Sequence, residues 1–348
     1  MEQKKNIVWI NYIRAISILG VFFIHSQSYY GSCYNVVNGF VSPFYVNAFF
    51  FVSGFLIFRK QLSEKNINQE CGHFVMNDGR KMIENIFWKL MLPSIIFSII
   101  EFYPSHILRS RGFDIDMFLY KTLGGCTYWF TSALVVAEFL IFFMLLTRIK
   151  RIWFYWICCL LMYCIGRLIV ANRYSLFDTY PSLPWQYKHG LYALVFMSFG
   201  GVYWRLEDKV NRFMNKGLLF FLIGIYIVCL LVWPSFFQVL ISTLNLNVPG
   251  IILSLLSICI LIEICKLLPT INLLNYIGQN TIGLYFMSGA LPIVFSILVH
   301  KLLSGQSMLG MLIVFFASFI VGLGAVYLMN RFVPFLFDLR VLWKKASK

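Results

Sequence analysis

Arg14 and His25 stand at the two ends of the apolar stretch RAISILGVFFIH near the amino terminus. On an α-helix this spacing separates them by about 16 Å along the axis but by only about 20° around it, so both side chains share one face. A charge near the bilayer centre costs at least ~2.5–3.5 kcal/mol, and two polar groups on one stripe therefore indicate a shared environment away from lipid. The guanidinium is suited to phosphate binding and the imidazole to general-base chemistry.

Each residue alone also has a simpler explanation. Arg14 could extend its side chain to the inner headgroups, and His25 could be an interfacial or hydrogen-bonded structural histidine. Glu138 is the next most costly polar group, because it lies inside a later apolar segment. We expect it to face the protein interior, either in the catalytic set or as the buried partner of Arg14 or of another helix.

The composition places these residues in a membrane protein. Of the 348 residues, 60% are hydrophobic and only 12% are charged, whereas soluble domains have about a quarter charged. A helical crossing needs about 17–25 apolar residues, and on this basis we predict an all-α polytopic protein with about ten transmembrane helices. The predicted spans are 7–28, 43–58, 86–104, 127–147, 152–171, 189–204, 217–233, 249–267, 281–300 and 309–330.

The net charge of +15 does not indicate a nucleic-acid partner, because most of the Lys and Arg residues fall in alternate loops. This asymmetry is the positive-inside pattern, and it predicts that both termini are cytoplasmic. We expect residues 1–330 to form one transmembrane domain and residues 331–348 to form a basic amphipathic tail that lies on membrane lipid. A disulfide between Cys33 and Cys126, and assembly as a homo-oligomer, are left open by the sequence.

Four further motifs carry polar or small residues. Ser53 and Gly54 in FFFVSGFLI permit close helix approach, and packing is the favoured interpretation. Basic residues precede Pro93, where positive-inside topology and binding of a polyanionic ligand both fit. GGCTYWF joins two glycines to Trp129, and IGQNTIGLYF leads to Tyr285. The basic residues before Pro93 are Arg80, Lys81 and Lys89.

Together these motifs resemble the acyltransferase-3 family of integral-membrane O-acyltransferases, over nearly the whole chain. Arg14 and His25 match the family's Arg, ten residues, His pattern. FFFVSGFLI is similar to its second-helix motif, GGCTYWF to its Gly-Gly and Trp-Phe signature, and IGQNTIGLY to its late Gly, Ser/Thr, Tyr motif. Ile86 and Lys89 replace the two arginines usual before the third-helix proline, and Ser288 replaces a common histidine.

The resemblance implies a stand-alone enzyme of the inner (plasma) membrane. Such enzymes move an acyl group, most often acetyl, from cytoplasmic acetyl-CoA to a hydroxyl of a cell-surface polysaccharide or lipid-linked glycan, and no metal is implied. His25 would deprotonate the acceptor hydroxyl or briefly accept the acyl group. From the residues themselves we also expect Arg14 and Glu138 in the catalytic set. Trp129 and Tyr285 would contact the acceptor. The implied donor-binding residues are Arg14, Ser53, Arg80, Lys81 and Lys89.

Two other classes of function compete with this one. A glycan or solute transporter could line its path with the same polar stripe, since intramembrane Arg, His and Glu are also typical of proton-coupled carriers. The sequence shows no inverted repeat in support of a carrier. A non-catalytic membrane scaffold would explain the helices but would leave the spacing of Arg14 and His25 accidental.

Overall fold

The structure is a computed structural model that describes residues 7–30, 35–63, 74–108, 114–171, 184–232, 248–302 and 308–341. Every regular element in these ranges is a helix, as the apolar sequence predicts. The α-helices are α1 (Val8–Gln27), α2 (Asn35–Val41), α3 (Asn47–Gln61), α4 (Arg80–Asn85), α5 (Leu92–Leu108), α6 (Ile115–Thr122), α7 (Trp129–Leu145), α8 (Ile152–Ala171), α9 (Tyr187–Phe213), α10 (Lys216–Val232), α11 (Val248–Leu267), α12 (Asn272–Gln279), α13 (Thr281–Ser288), α14 (Ala290–Leu302) and α15 (Met308–Phe332).

Within the described ranges, four helical stretches are long and apolar enough to cross a membrane: Val8–Gln27, Asn77–Phe102, Val248–Leu267 and Met308–Phe332. The second is continuous because a π-helical turn at Val75–Gly79 leads into α4 and another at Ile86–Met91 joins α4 to α5. Two pairs of helices with short breaks raise the number of candidate crossings to six, and α7 and part of α8 are shorter apolar helices. The ten crossings and the cytoplasmic position of both termini stay predictions.

The chain divides into two compact units, of which the first contains residues 1–49 and 209–328. In this unit the start of α1 is fixed to the chain around α12. Asn11 Nδ2 donates a hydrogen bond of 2.6 Å to Asn275 Oδ1, and Tyr12 Oη donates one of 2.9 Å to the Pro269 carbonyl. Gly278 is needed there, because a Cβ at this position would lie 2.0 Å from the Asn11 carbonyl oxygen.

The other end of α1 packs against α14 and α15. The ring centroids of Tyr30 and His300 are 4.7 Å apart, and those of Phe22 and Phe319 are 5.4 Å apart with the rings nearly perpendicular. Since α12 contacts the start of α1 and α14 reaches its end, the chain from α12 to α14 runs beside α1 in the same direction.

The second unit contains residues 50–208 and 329–348. Here α3 and α9 cross with almost no side chain between them. A Cβ on Gly54 would lie 2.0 Å from the Met197 carbonyl oxygen, and one on Gly200 would lie 2.1 Å from that of Phe51. These contacts confirm the packing interpretation of Gly54, since small residues let helix backbones approach.

The described part of the tail also packs on the second unit. Phe337 stacks on Phe97 of α5, with ring centroids 5.7 Å apart. The chain leaves α15 through a 3-10 turn at Pro334–Leu336. Pro334 lacks the N–H that would continue α15, and Asp338 Oδ1 accepts a hydrogen bond from the Arg340 N–H, which favours a turn. Residues 342–348 and Cys33 lie outside the described ranges, and so does the Cys33–Cys126 pairing.

Candidate active site

The predicted site residues divide between the two units. Arg14, His25 and Tyr285 lie in the first unit. The second unit contains Ser53, Arg80, Lys81, Lys89, Trp129 and Glu138. The geometry of each group is described within its own unit.

Arg14 and His25 both lie in the uninterrupted helix α1, and both are partly buried. The predicted stripe is therefore present, with the two residues about 16 Å apart along the axis and on nearly the same face. Three residues before Arg14, Asn11 bonds to Asn275, and three residues before His25, Phe22 packs on Phe319. Because residues three apart are neighbours on a helix surface, the stripe borders the helices α12 to α15.

Tyr285 is buried and lies in α13, between two points at which the chain from α12 to α14 can be matched to α1. The hydrogen bond between Asn11 and Asn275 places these two residues side by side. Leu291 and Phe22 are also near each other, because both lie 3.2 Å from a Cβ added to Gly322 of α15. Tyr285 falls between Asn275 and Leu291 in a chain that runs beside α1. The acceptor contact of Tyr285 stays a prediction.

A helix break lies directly after α13. The axes of α13 and α14 differ by 45°, and the break falls at Gly289. Ser288 is buried and donates a hydrogen bond of 2.7 Å to the Tyr285 carbonyl. The residue that replaces the family's common histidine therefore satisfies the backbone of its own helix.

Three of the predicted donor-binding residues of the second unit, Arg80, Lys81 and Lys89, occupy one helical stretch, and two of them are paired with acids. Arg80 Nε lies 2.8 Å from Glu84 Oε1, and Lys89 Nζ lies 3.9 Å from Asp338 Oδ2. Lys81 is exposed. A phosphate group that bound here would take the place of these carboxylates as the partner of the cations.

Sequence reasoning missed the partner of Lys89, which comes from the tail. The Arg340 guanidinium holds Asp338 through two short hydrogen bonds and donates a third, of 3.1 Å, to Asn85 Oδ1. Burial alone raises the pKa of Asp338, but the hydrogen bonds and charge of Arg340, together with the charge of Lys89, hold that pKa below its ordinary value. A sequence signal was available, since Asp338 is the only acidic residue after Glu263.

Trp129 begins α7 beside a histidine that sequence reasoning also missed. The ring centroids of Trp129 and His189 are 5.5 Å apart, and His189 Nδ1 lies 2.8 Å from Gln186 Oε1. The available signal was the spacing of Gln186 and His189, which are three residues apart at the start of α9. Ser53 and Glu138 are partly buried in α3 and α7, and their predicted roles stay predictions.

Among the residues that the structure describes, no three His, Cys, Asp or Glu side chains are grouped so that they could hold a metal ion. The groups present can bind anions, accept a proton and contact a ring.

The comparisons with known proteins agree with this chemistry. The sequence profile of a family described as an acyltransferase domain matches residues 7–331. Neither the curated proteins nor the solved structures give a match. The profile extends over nearly the entire length and includes Arg14, His25 and Tyr285. The chain therefore belongs to the acyltransferase-3 family and is a membrane acyltransferase.

Proposed function

We propose that this acyltransferase moves an acetyl group from cytoplasmic acetyl-CoA to a hydroxyl of a cell-surface or lipid-linked glycan, across the inner (plasma) membrane with both termini in the cytoplasm. The observation that carries the proposal is the stripe of α1, where a guanidinium and an imidazole share one face beside a broken helix. The basic residues of the predicted cytoplasmic loops support the proposed orientation.

Arg14 is assigned to the donor. A coenzyme A thioester carries phosphates, and Arg binds phosphate through charge-assisted, often bidentate hydrogen bonds. In the second unit, Arg80, Lys81 and Lys89 offer the same chemistry, with Ser53 as a hydroxyl contact. When the donor binds, its phosphates would replace the carboxylates of Glu84 and Asp338 as ion-pair partners. Arg80 and Lys89 would then each still face a negative charge.

His25 is assigned to the acceptor. The imidazole takes the proton of the acceptor hydroxyl as its oxygen bonds to the thioester carbonyl carbon, the carbon–sulfur bond then breaks, and coenzyme A leaves as a thiolate that recovers the proton. The alternative route places the acyl group on the imidazole first. Trp129 and Tyr285 are assigned to acceptor contact, and Glu138 to the catalytic set.

The test uses purified full-length protein in lipid nanodiscs, with radiolabelled acetyl-CoA and an extract of the host's lipid-linked glycans. We expect labelled glycan and free coenzyme A thiol in equal amounts, and His25→Ala should abolish both. His300→Ala is the matched control, because it removes a histidine of the same unit that packs against Tyr30 and has no role in the proposed chemistry. Transfer that survives in a folded His25→Ala protein would reject the role of His25.

The alternative function is a transporter. The bend between α13 and α14 supports it, because many carriers form their substrate sites at broken helices. Proteoliposomes loaded with the same glycan separate the two functions. Glycan movement without release of coenzyme A thiol would indicate a carrier, whereas thiol release coupled to labelling indicates the enzyme.

A further inference from the structure

We propose that Trp129, Gln186 and His189 form a binding subsite for a sugar ring, in which Trp129 supplies the stacking face and His189 Nε2 accepts a hydrogen bond from a ring hydroxyl. The subsite deepens the proposed function, on which its link to the acceptor rests. All three residues lie in the second unit.

The first observation is a strained turn directly before α9. Trp185 and Gln186 are consecutive non-glycine residues with φ of 61° and 50°. This conformation is unfavourable for a residue with a side chain, and strain of this kind persists where the surrounding structure holds it, often at ligand sites. A turn that served only to connect two helices would be less costly with glycine or asparagine at these positions.

The second observation is that neighbouring groups hold this turn in place. The Trp185 N–H donates a hydrogen bond of 2.7 Å to the Gly124 carbonyl. Gly125 itself has φ of 69°, and its carbonyl accepts a hydrogen bond of 2.6 Å from Ser132 Oγ. A Cβ on Gly125 would lie 2.6 Å from Ser132 Oγ and 3.3 Å from the Trp185 ring. The two turns are therefore fitted to each other.

The strained turn places the Gln186 side chain next to His189. The Gln186 side chain is buried, and its Oε1 lies 2.8 Å from His189 Nδ1. An amide oxygen only accepts hydrogen bonds, so Nδ1 must carry the proton, and the neutral imidazole keeps its lone pair on Nε2. Gln186 thus fixes the tautomer and the ring orientation of His189.

The third observation is the aromatic face beside this imidazole. Trp129 and His189 are partly buried, their ring centroids are 5.5 Å apart, and their planes are inclined by 50°. Small-molecule sites combine apolar and aromatic surface with a few oriented polar groups. A tryptophan face beside a fixed acceptor fits a pyranose, which presents C–H groups on its face and hydroxyls at its edge. A tryptophan of an interfacial belt would need no such partner.

The test measures sugar binding without acetyl-CoA, so that it is independent of acyl transfer. Saturation-transfer NMR is recorded on the full-length protein in nanodiscs with the methyl glycosides of glucose, galactose, mannose, rhamnose and N-acetylglucosamine, and with glycerol as a hydroxyl control. We expect saturation of the ring protons of at least one glycoside and none of glycerol. No binding by any glycoside, or equal transfer to glycerol, would overturn the proposal.

Variants connect the binding to these residues. Trp129→Leu should abolish the signal, while Trp153→Leu, which removes an exposed tryptophan of α8, should retain it. His189→Ala should weaken binding by about three- to tenfold, the usual effect of one hydrogen bond. His189→Gln should restore part of it, because a terminal carboxamide oxygen can replace the Nε2 acceptor. Unchanged affinity in folded His189→Ala and Trp129→Leu proteins would refute the subsite.

Failure of this proposal and failure of the proposed function are distinguishable. Sugar binding without any release of coenzyme A thiol would keep the subsite and reject the acyltransferase mechanism. Release of coenzyme A thiol without sugar binding would keep the acyltransferase mechanism and reject the subsite.

Discussion

Asn11 donates its amide hydrogen to Asn275 Oδ1 over 2.6 Å, and this bond sets the register between α1 and α12. The register determines which residues of α13 lie at the depth of Arg14 and His25. The nearby backbone contact between Asn11 and Gly278 leaves no room for a side chain. The arrangement of the proposed chemistry in the first unit therefore depends on a contact made near one end of the stripe.

Gly278→Ala should disrupt this register. The added methyl group would lie 2.0 Å from the Asn11 carbonyl oxygen, so the helices must separate. Overpacking of this kind costs about 1–3 kcal/mol, and we expect a lower thermal unfolding midpoint and reduced transfer. Gly324→Ala in α15 is the matched control, because an added Cβ meets nothing within 4 Å. Equal midpoints for the two variants would contradict the close contact.

Arg14→Gln should weaken donor binding more than it slows the chemical step. The substitution keeps most of the side-chain length and removes the charge, and a hydrogen bond to a charged group contributes about 1.5–3 kcal/mol. We expect KM for acetyl-CoA to rise about tenfold or more, with kcat changed much less.

The measurement is thiol release as a function of acetyl-CoA concentration. Arg331→Gln, at the exposed end of α15, controls for loss of one positive charge. An unchanged KM in the Arg14 variant would remove Arg14 from the donor site.

The sequence was sufficient for the helical class and for the stripe, because both follow from local periodicity. Eleven residues of apolar helix determine by themselves that Arg14 and His25 share a face. The close approach at Gly54 was also foreseen, since a small residue in an apolar helix has few other uses.

Contacts between distant parts of the chain could not be predicted in this way. The tail reads as a separate amphipathic segment, yet Asp338 and Arg340 reach Lys89 and Asn85. His189 was overlooked because its spacing from Gln186, the one local signal, does not show that the start of α7 lies beside it. The backbone angles of Trp185 depend on Gly124, about sixty residues earlier in the chain, and no local turn rule includes that contact.

Asp338→Asn should release Lys89 from its carboxylate partner. If Lys89 binds the donor, Asp338 competes with the phosphate, and an exposed ion pair contributes about 0–1 kcal/mol. We therefore expect KM for acetyl-CoA to fall by up to about fivefold. Asp116→Asn in α6 serves as the control for removal of an exposed acid. A higher KM in the Asp338 variant would show instead that the tail supports the donor site by holding Arg340 in place.

Docking of the tail should depend on pH with a definite sign. The pKa of Asp338 is held below its ordinary value of 3.8. A carboxylate with a depressed pKa stabilises the docked state fully above the ordinary value, and the effect disappears as the pH falls through the lowered one. We expect the Phe337–Phe97 stack to loosen on acidification below 3.8 and to remain unchanged near neutral pH. Fluorine NMR of 4-fluorophenylalanine at position 337 would report this as a shift that titrates. The same label in Asp338→Asn should give no such titration, and a titration that persisted there would assign the effect to another group.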